Sequence, residues 1–244
     1  MKVILMAAGM GTRISKHIGE IPKSLVDIGN GTTLISHTIE MLQSNNITDI
    51  SVIVGYKHEL LEKELQSKNV KIYHNDIYSS TNSIYSLFLA KEELCNEDII
   101  LANADVFWES NILQLLTKTT QDIVMLSDTS RADSGDYFFY TDSKNNITAY
   151  GKTLTRENRT CEYVGIAKIK KSFIPQFKER LVNMIDDGLV NKWWEEILYS
   201  FVGDKNIVSC DVDNKFWAEV DTIEDYNRIK SYVMSKTSQK NTLL

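Results

Sequence analysis

The sequence predicts an open α/β fold: a mixed, mainly parallel sheet with helices on both faces and a small antiparallel lid. Three observations carry this. Short β-branched runs alternate with helical stripes through the first half of the chain. A glycine-rich turn closes the first of those runs. Past Ser127 the rhythm breaks into short strands separated by polar turns.

The elements follow in order. Lys2 to Met6 is an apolar strand that ends in Ala7-Ala8-Gly9. Leu34, Ile35, Thr38, Ile39 and Leu42 recur at helical spacing, Ser51 to Val54 is β-branched, and Leu60, Leu61 and Leu65 mark a second helix. Val70 to Tyr73 reads as a strand, Ile84 to Leu94 as a helix after Asn82, and Asp98 to Leu101 as the start of a fourth strand. Ile112, Leu113 and Leu116 mark the next helix, and Ile123 to Leu126 the next strand. Such βα repeats imply parallel pairing with covered faces. Ser134-Gly135-Asp136, Asp142-Ser143 and Asn145-Asn146 are turns around a strand at Tyr137 to Tyr140, and Glu162 to Lys168 returns to the sheet. Residues 128–170 are the expected lid within a single domain of residues 1–244. Helices are expected at Ser172 to Ile185 and Asn191 to Tyr199, and strands at Ile207 to Val212 and Phe216 to Val220. A last helix should begin at Asp221, whose spacing to Glu224 is that of a capping box, with Thr237 to Leu244 fraying.

The 244 residues, 43% of them hydrophobic, can bury a sizeable core. A net charge of -6 argues against nucleic acid as a partner, and no polybasic patch or long apolar run suggests a membrane. Met1 to Leu5 reads as a buried strand rather than a leader. Cys95, Cys161 and Cys210 are too scattered for a disulfide framework or zinc site, and the four histidines include no pair at helical spacing. A cytoplasmic setting is expected. Oligomeric state, monomer or homodimer, stays open.

In open α/β sheets ligands bind beyond the carboxyl ends of the strands. That rule directs attention to the first loop, Asn75 to Asn82, Asn103 to Asp105, and the start of the last helix. Gly9-Met10-Gly11-Thr12-Arg13 can bring backbone N–H groups close to phosphate. It lacks the third glycine of a dinucleotide fingerprint, since Ile14 stands there, and it lacks a Walker lysine. Arg13 and Lys23, the latter after Pro22, supply cations of the kind a triphosphate needs. Asp105 and Asp221 are hard oxygen donors from separate strand ends that suit magnesium. Each also has a structural reading: a turn residue for Asp105, a helix cap for Asp221.

Leu5-Met6-Ala7-Ala8-Gly9-Met10-Gly11-Thr12-Arg13, followed by Pro22-Lys23-Ser24-Leu25, resembles the signature of sugar-phosphate nucleotidyltransferases. The resemblance implies their Rossmann-like nucleotidyltransferase fold. Ala7, Ala8, Gly9, Gly11 and Thr12 would line the nucleotide, with Asn82, Ser83, Asn103 and Ala104 as further contacts. Arg13 would hold the β and γ phosphates, and Lys23 would be the main catalytic lysine. Glu219-Val220-Asp221-Thr222 is similar to the family's metal-binding segment and favours Asp105 and Asp221 as Mg²⁺ ligands over their structural readings. Glu219 is a neighbour with less claim to direct ligation.

Asn75 to Leu87, Gly151-Lys152, Glu162-Tyr163-Val164-Gly165-Ile166 and Trp194-Glu195-Glu196 resemble the phosphocholine cytidylyltransferase subfamily. That subfamily includes enzymes for 2-aminoethylphosphonate and for phosphoglutamine of capsule pathways. The likeness runs from about Met1 to Ile229 and is weakest over Ser127 to Asn146. It implies CTP as donor and a small phosphorylated or phosphonate acceptor, with CMP transferred and pyrophosphate released. Lys152, Glu162, Trp194 and Glu195 would bind the acceptor, with Trp193 left open between core and site. A complete aromatic cage for a trimethylammonium group cannot be located along the chain. Competing readings are a UTP- or dTTP-dependent sugar-1-phosphate nucleotidyltransferase and a regulatory nucleotide-binding domain without turnover.

Overall fold

A computed structural model describes residues 1–242. Strand β1 (Lys2–Ala7) is buried along its whole length, as an apolar run without alternation requires of a central parallel strand. The chain continues through α1 (Ser15–Ile18), α2 (Leu34–Ser44), β2 (Asp49–Val54), α3 (His58–Leu65), β3 (Lys71–His74), α4 (Ser83–Leu89) and β4 (Ile99–Asn103). It then forms β5 (Val106–Phe107), α5 (Ser110–Lys118), β6 (Ile123–Asp128), β7 (Phe138–Thr141), β8 (Ile147–Gly151) and β9 (Cys161–Ile169). It closes with α6 (Ile174–Asp186), α7 (Glu195–Tyr199), β10 (Ile207–Asp211), β11 (Ala218–Glu219) and α8 (Ile223–Thr242).

The main sheet runs in the order β10-β6-β9-β4-β1-β2-β3. The pairs β1–β2, β1–β4, β2–β3 and β6–β10 are parallel, whereas β9 is antiparallel to both β4 and β6. The sheet is thus mixed and mainly parallel, as expected. The hairpin of β7 and β8 extends β9 and forms the small antiparallel portion. Apolar side chains cover both faces: α4, α6 and α7 pack over Ile4, Leu101 and Met125, and α2, α3 and α5 over Leu5, Val52 and Ile100. A third cluster, with Ile14, Leu34, Phe107 and Ile229, seats α8.

The structure corrects five expectations about secondary structure. The helix expected over Ile84 to Leu94 ends at Leu89, where the Ala90 N–H turns back to Leu87, and Lys91–Glu93 forms a separate 3₁₀ turn. Helix α7 begins at Glu195, not Asn191, because the preceding backbone is spent elsewhere. The carbonyls of Val190 and Lys192 accept from the N–H groups of Asn82 and Ile84, and the Trp194 N–H donates to Ser83 Oγ. The first two bonds satisfy amides at the start of α4 that no helical carbonyl can reach. The strand expected at Phe216 to Val220 shrinks to Ala218–Glu219, antiparallel to Val106–Phe107. The cap of α8 is Thr222 rather than Asp221: Thr222 Oγ1 accepts from the Asp225 N–H at 3.2 Å and donates to Asp225 Oδ2 at 2.9 Å. The tail expected to fray from Thr237 is helical through Thr242, and Leu243 and Leu244 lie outside the described residues.

Candidate active site

The carboxyl ends of β1 and β4, the Asn75–Ser86 segment and the β7–β9 region enclose a cleft of about 370 Å³. Every proposed nucleotide contact lines it: Ala7, Ala8, Gly9, Gly11, Thr12, Arg13, Lys23, Asn82, Ser83, Asn103 and Ala104. Lys152, Glu162, Glu195 and Asp105 line it too.

The charged end is built by backbone. Strands β5 and β11 form a two-stranded ribbon, and the Val220 N–H donates to the Asp105 carbonyl at 2.8 Å. That pairing brings Asp105, Glu219 and Asp221 together, with carboxylate oxygens within 4.8 Å of one another. Lys23 pairs with Asp221 and, at 3.2 Å, with Asp105; Arg13 also pairs with Asp221. Gly11 lets Lys23 lie there. Its φ is +58°, and a Cβ would stand 2.7 Å from Lys23 Cγ. The small residue serves the lysine as much as any ligand. Gly55 has a similar role behind the loop, where a Cβ would meet the Ala8 carbonyl and Tyr78 at 2.9 Å.

Burial opposes the Lys23 ammonium, but Asp105 and Asp221 outweigh it and raise its pKa. Lys23 therefore stays charged near neutral pH and acts as an electrostatic partner rather than a base. Burial, reinforced by Asp105 and Asp221, holds the Glu219 carboxyl well above the usual range. Three convergent carboxylates are the hard donor set Mg²⁺ prefers, so the residues present fit that ion. Because Thr222 caps α8, Asp221 is free for this centre.

The other end is aromatic. Tyr137, Tyr163, Trp193 and Tyr199 line the cleft beside Glu195. Tyr137 stacks on Tyr199 at 5.7 Å between centroids and meets Trp193 edge-on at 5.8 Å, while Tyr150 stacks behind Tyr199 at 4.2 Å. Burial raises the pKa of Tyr137, Tyr163 and Tyr199, so these phenols stay neutral. The assignment of Trp194 to the acceptor is corrected. It is fully buried, and its Nε1 donates to Asn103 Oδ1 at 2.9 Å. Its neighbour Trp193, 40% exposed, faces the cleft.

Asn103 also donates to Glu195 Oε1 at 3.2 Å, fixing a carboxyl that burial pushes up to about 7. Asn82 caps α4 by accepting from the Ser83 N–H at 2.8 Å. Asn82, Ser83 and Asn103 thus border the cleft with side chains already engaged in fixing it. Glu162 accepts from Arg131 and from the Asp136 N–H, and burial still raises its pKa. Lys152 Nζ sits 2.6 Å from Asp136 and 5.5 Å from the Trp193 ring centre. Sequence reasoning did not single out Tyr137, Tyr199 or Asp136, which also line the cleft. Tyr199 carried only a core-like signal, and Tyr137 lay in the segment without recognisable motif.

Residues 3–176 match the model of the MobA-like NTP transferase domain. The chain belongs to that family. Among curated relatives, it is 27% identical over 244 residues to a choline-phosphate cytidylyltransferase of Streptococcus pneumoniae, covering 97% of this chain and 100% of that one. It is 25% identical over 229 residues to a 2-aminoethylphosphonate cytidylyltransferase of Lancefieldella rimae, covering 91% and 89%. The solved CTP:phosphocholine cytidylyltransferase of Streptococcus pneumoniae superposes with a TM-score of 0.77 at 21% identity, covering 95% of this chain and 98% of that one, and so shares the nucleotidyltransferase fold. Among the described residues no helix is long and apolar enough to cross a membrane.

Proposed function

We propose that this nucleotidyltransferase is a CTP-dependent cytidylyltransferase that acts on a small phosphate or phosphonate bearing a cationic amine. The observation that carries the reading is the polarity of one cleft. Lys23, Arg13 and three carboxylates gather at one end, and aromatic faces with Glu195 gather at the other. An acceptor oxygen attacks the α-phosphorus, the bond to the bridging oxygen breaks, and pyrophosphate leaves with that electron pair. The acceptor oxygen is already anionic near neutral pH, so no protein nucleophile is needed. Lys23, held charged, offsets negative charge as it grows on the α-phosphate. Arg13, 61% exposed at the side chain, is free to turn from Asp221 toward the terminal phosphates. Asp105 and Asp221, with Glu219 beside them, would hold Mg²⁺. When bound, that ion neutralises the triphosphate and orients it for in-line displacement. Tyr137 and Trp193 would receive the amine, with Tyr199 stacked behind Tyr137, since aromatic faces attract alkylammonium groups and Glu195 adds charge when ionised. Lys152 and Glu162 complete the acceptor side. Cytosine as the base rests on the named relatives and on the sequence motifs.

Pyrophosphate release tests the reading. CTP, UTP, dTTP, ATP and GTP are each paired with phosphocholine, 2-aminoethylphosphonate, phosphoethanolamine, phosphoglutamine and glucose 1-phosphate, with Mg²⁺. Turnover confined to CTP and one amine-bearing acceptor is the expected result. Turnover with UTP or dTTP and the sugar phosphate overturns both base and acceptor. Silence throughout, with nucleotide still bound, favours a regulatory binding domain.

A further inference from the structure

Outside the cleft, three side chains with no part in nucleotidyl transfer come together on the surface. His58 opens α3, Glu62 lies one turn further along it, and His74 ends β3. Their donor atoms all lie within 4.8 Å of one another. Glu62 Oε1 is 2.6 Å from His58 Nδ1 and 3.5 Å from His74 Nε2. The two imidazoles meet edge-to-face at 5.1 Å between centroids. Spacing along the chain does not reveal this, because the histidines sit on different elements and converge only when β3 pairs with β2.

We infer that His58, Glu62 and His74 form a binding site for a divalent transition-metal ion of the Zn²⁺ class. Two imidazole nitrogens and one carboxylate are a donor set that Mg²⁺ declines and Zn²⁺ accepts, displacing protons as it binds. Three protein ligands leave a fourth position, and the partly exposed side chains open it to solvent. A second observation concerns the outer ring of the site. With His58 Nδ1 turned to Glu62, its Nε2 lies 3.4 Å from Glu59 Oε1. A carboxylate behind the far nitrogen of a ligating histidine fixes the ring and raises its basicity. Among the described residues Glu62 has no lysine or arginine partner; its contacts are with His58 and His74 themselves, which a cation would displace as protons leave the ligating nitrogens.

The site is separate from Asp105, Glu219 and Asp221, and its ion is of a different class. It also has a defined reach. His74 is followed by Asn75, whose side chain donates to Thr81 Oγ1 and Ser86 Oγ at 3.1 and 3.0 Å. A metal at His74 would tie α3 to the end of β3, where the Asn75–Ser86 wall of the cleft begins.

Calorimetric titration with ZnCl₂, in millimolar MgCl₂ to occupy the carboxylate centre, tests the proposal on the wild-type chain, His74→Ala and Glu62→Gln. All three positions are partly exposed, and matching circular dichroism spectra verify the folds. One Zn²⁺ per wild-type chain is expected, with affinity lowered about tenfold or more in each variant. At one fixed Zn²⁺ concentration the melting temperature of the wild type should rise more than that of either variant. Absence of Zn²⁺ uptake by the wild type, or equal affinity and stoichiometry in all three chains, overturns it. Neither readout depends on the identity of the nucleotide or acceptor.

Discussion

The two ends of the cleft are built by different means. The charged end rests on backbone: a glycine turn after β1 and the β5–β11 ribbon carry Lys23, Asp105, Glu219 and Asp221 to one point. The aromatic end rests on side chains from β7's approach, β9 and α7 that share no segment and no spacing. A site built from backbone turns needs particular residues at particular offsets. A site built from stacked rings needs only bulk and polarity in the right place. The first should fail sharply when altered, and the second by degrees.

The largest effect is expected at the charged end. Lys23→Ala should lower kcat by about 10²–10³-fold, the loss typical of removing one preorganised charge-stabilising donor, with circular dichroism unchanged. Near-normal turnover would remove Lys23 from the chemistry and leave the comparison without its sharp end. Trp193→Ala comes next. Loss of one aromatic face should raise the acceptor KM by about 2- to 30-fold, for an interaction worth about 0.5–2 kcal/mol, and leave the CTP KM unchanged. Equal change in both KM values would mean that the cleft is not divided as described.

Glu195 gives the smallest and finest test. Its pKa rises from 4.5 to about 7 in the folded chain, mainly through burial. Between those values the native state holds a proton that the unfolded chain has released, so this group's contribution to stability falls as pH rises across that window. Melting temperatures of wild type and Glu195→Gln, followed from pH 4.5 to 7, should fall more steeply in the wild type than in the variant, which keeps Glu162 and Glu219. Parallel curves would mean that Glu195 titrates in the folded chain as it does in water.

The same contrast explains what could be read from the sequence. The strand–helix rhythm was legible because periodicity marks it, whereas Gly9, Gly11, Lys23, Asp105 and Asp221 stood out because their segments resemble family motifs. The choice between Trp193 and Trp194 was not legible. Adjacent residues point in different directions, and only the bonds from Trp194 to Ser83 and Asn103 decide which one is buried. The cap of α8 was misplaced by one residue because Asp221–Glu224 and Thr222–Asp225 offer the same spacing. The hydrogen bonds that Thr222 makes with Asp225, and the ion pairs that turn Asp221 toward Lys23 and Arg13, settle it. Tyr137 lay among turns with no periodicity to mark it. Glu219 was read only as a neighbour of Asp221, since its place opposite Val106 depends on a two-residue ribbon too short for any pattern to reveal.

That ribbon also sets the order in which function is acquired during synthesis. Lys23 and Asp221 lie 198 residues apart in the chain yet share one ion pair. A nascent polypeptide can assemble β1 through β4 while still on the ribosome, and it will carry the glycine turn and its lysine without their acidic counterpart. Only when β11 has emerged and zipped against β5 does the centre close. Assembly of this charged centre is therefore a late event in the chain's life, and an unfinished copy holds the glycine turn and its lysine without the carboxylates that pair with them.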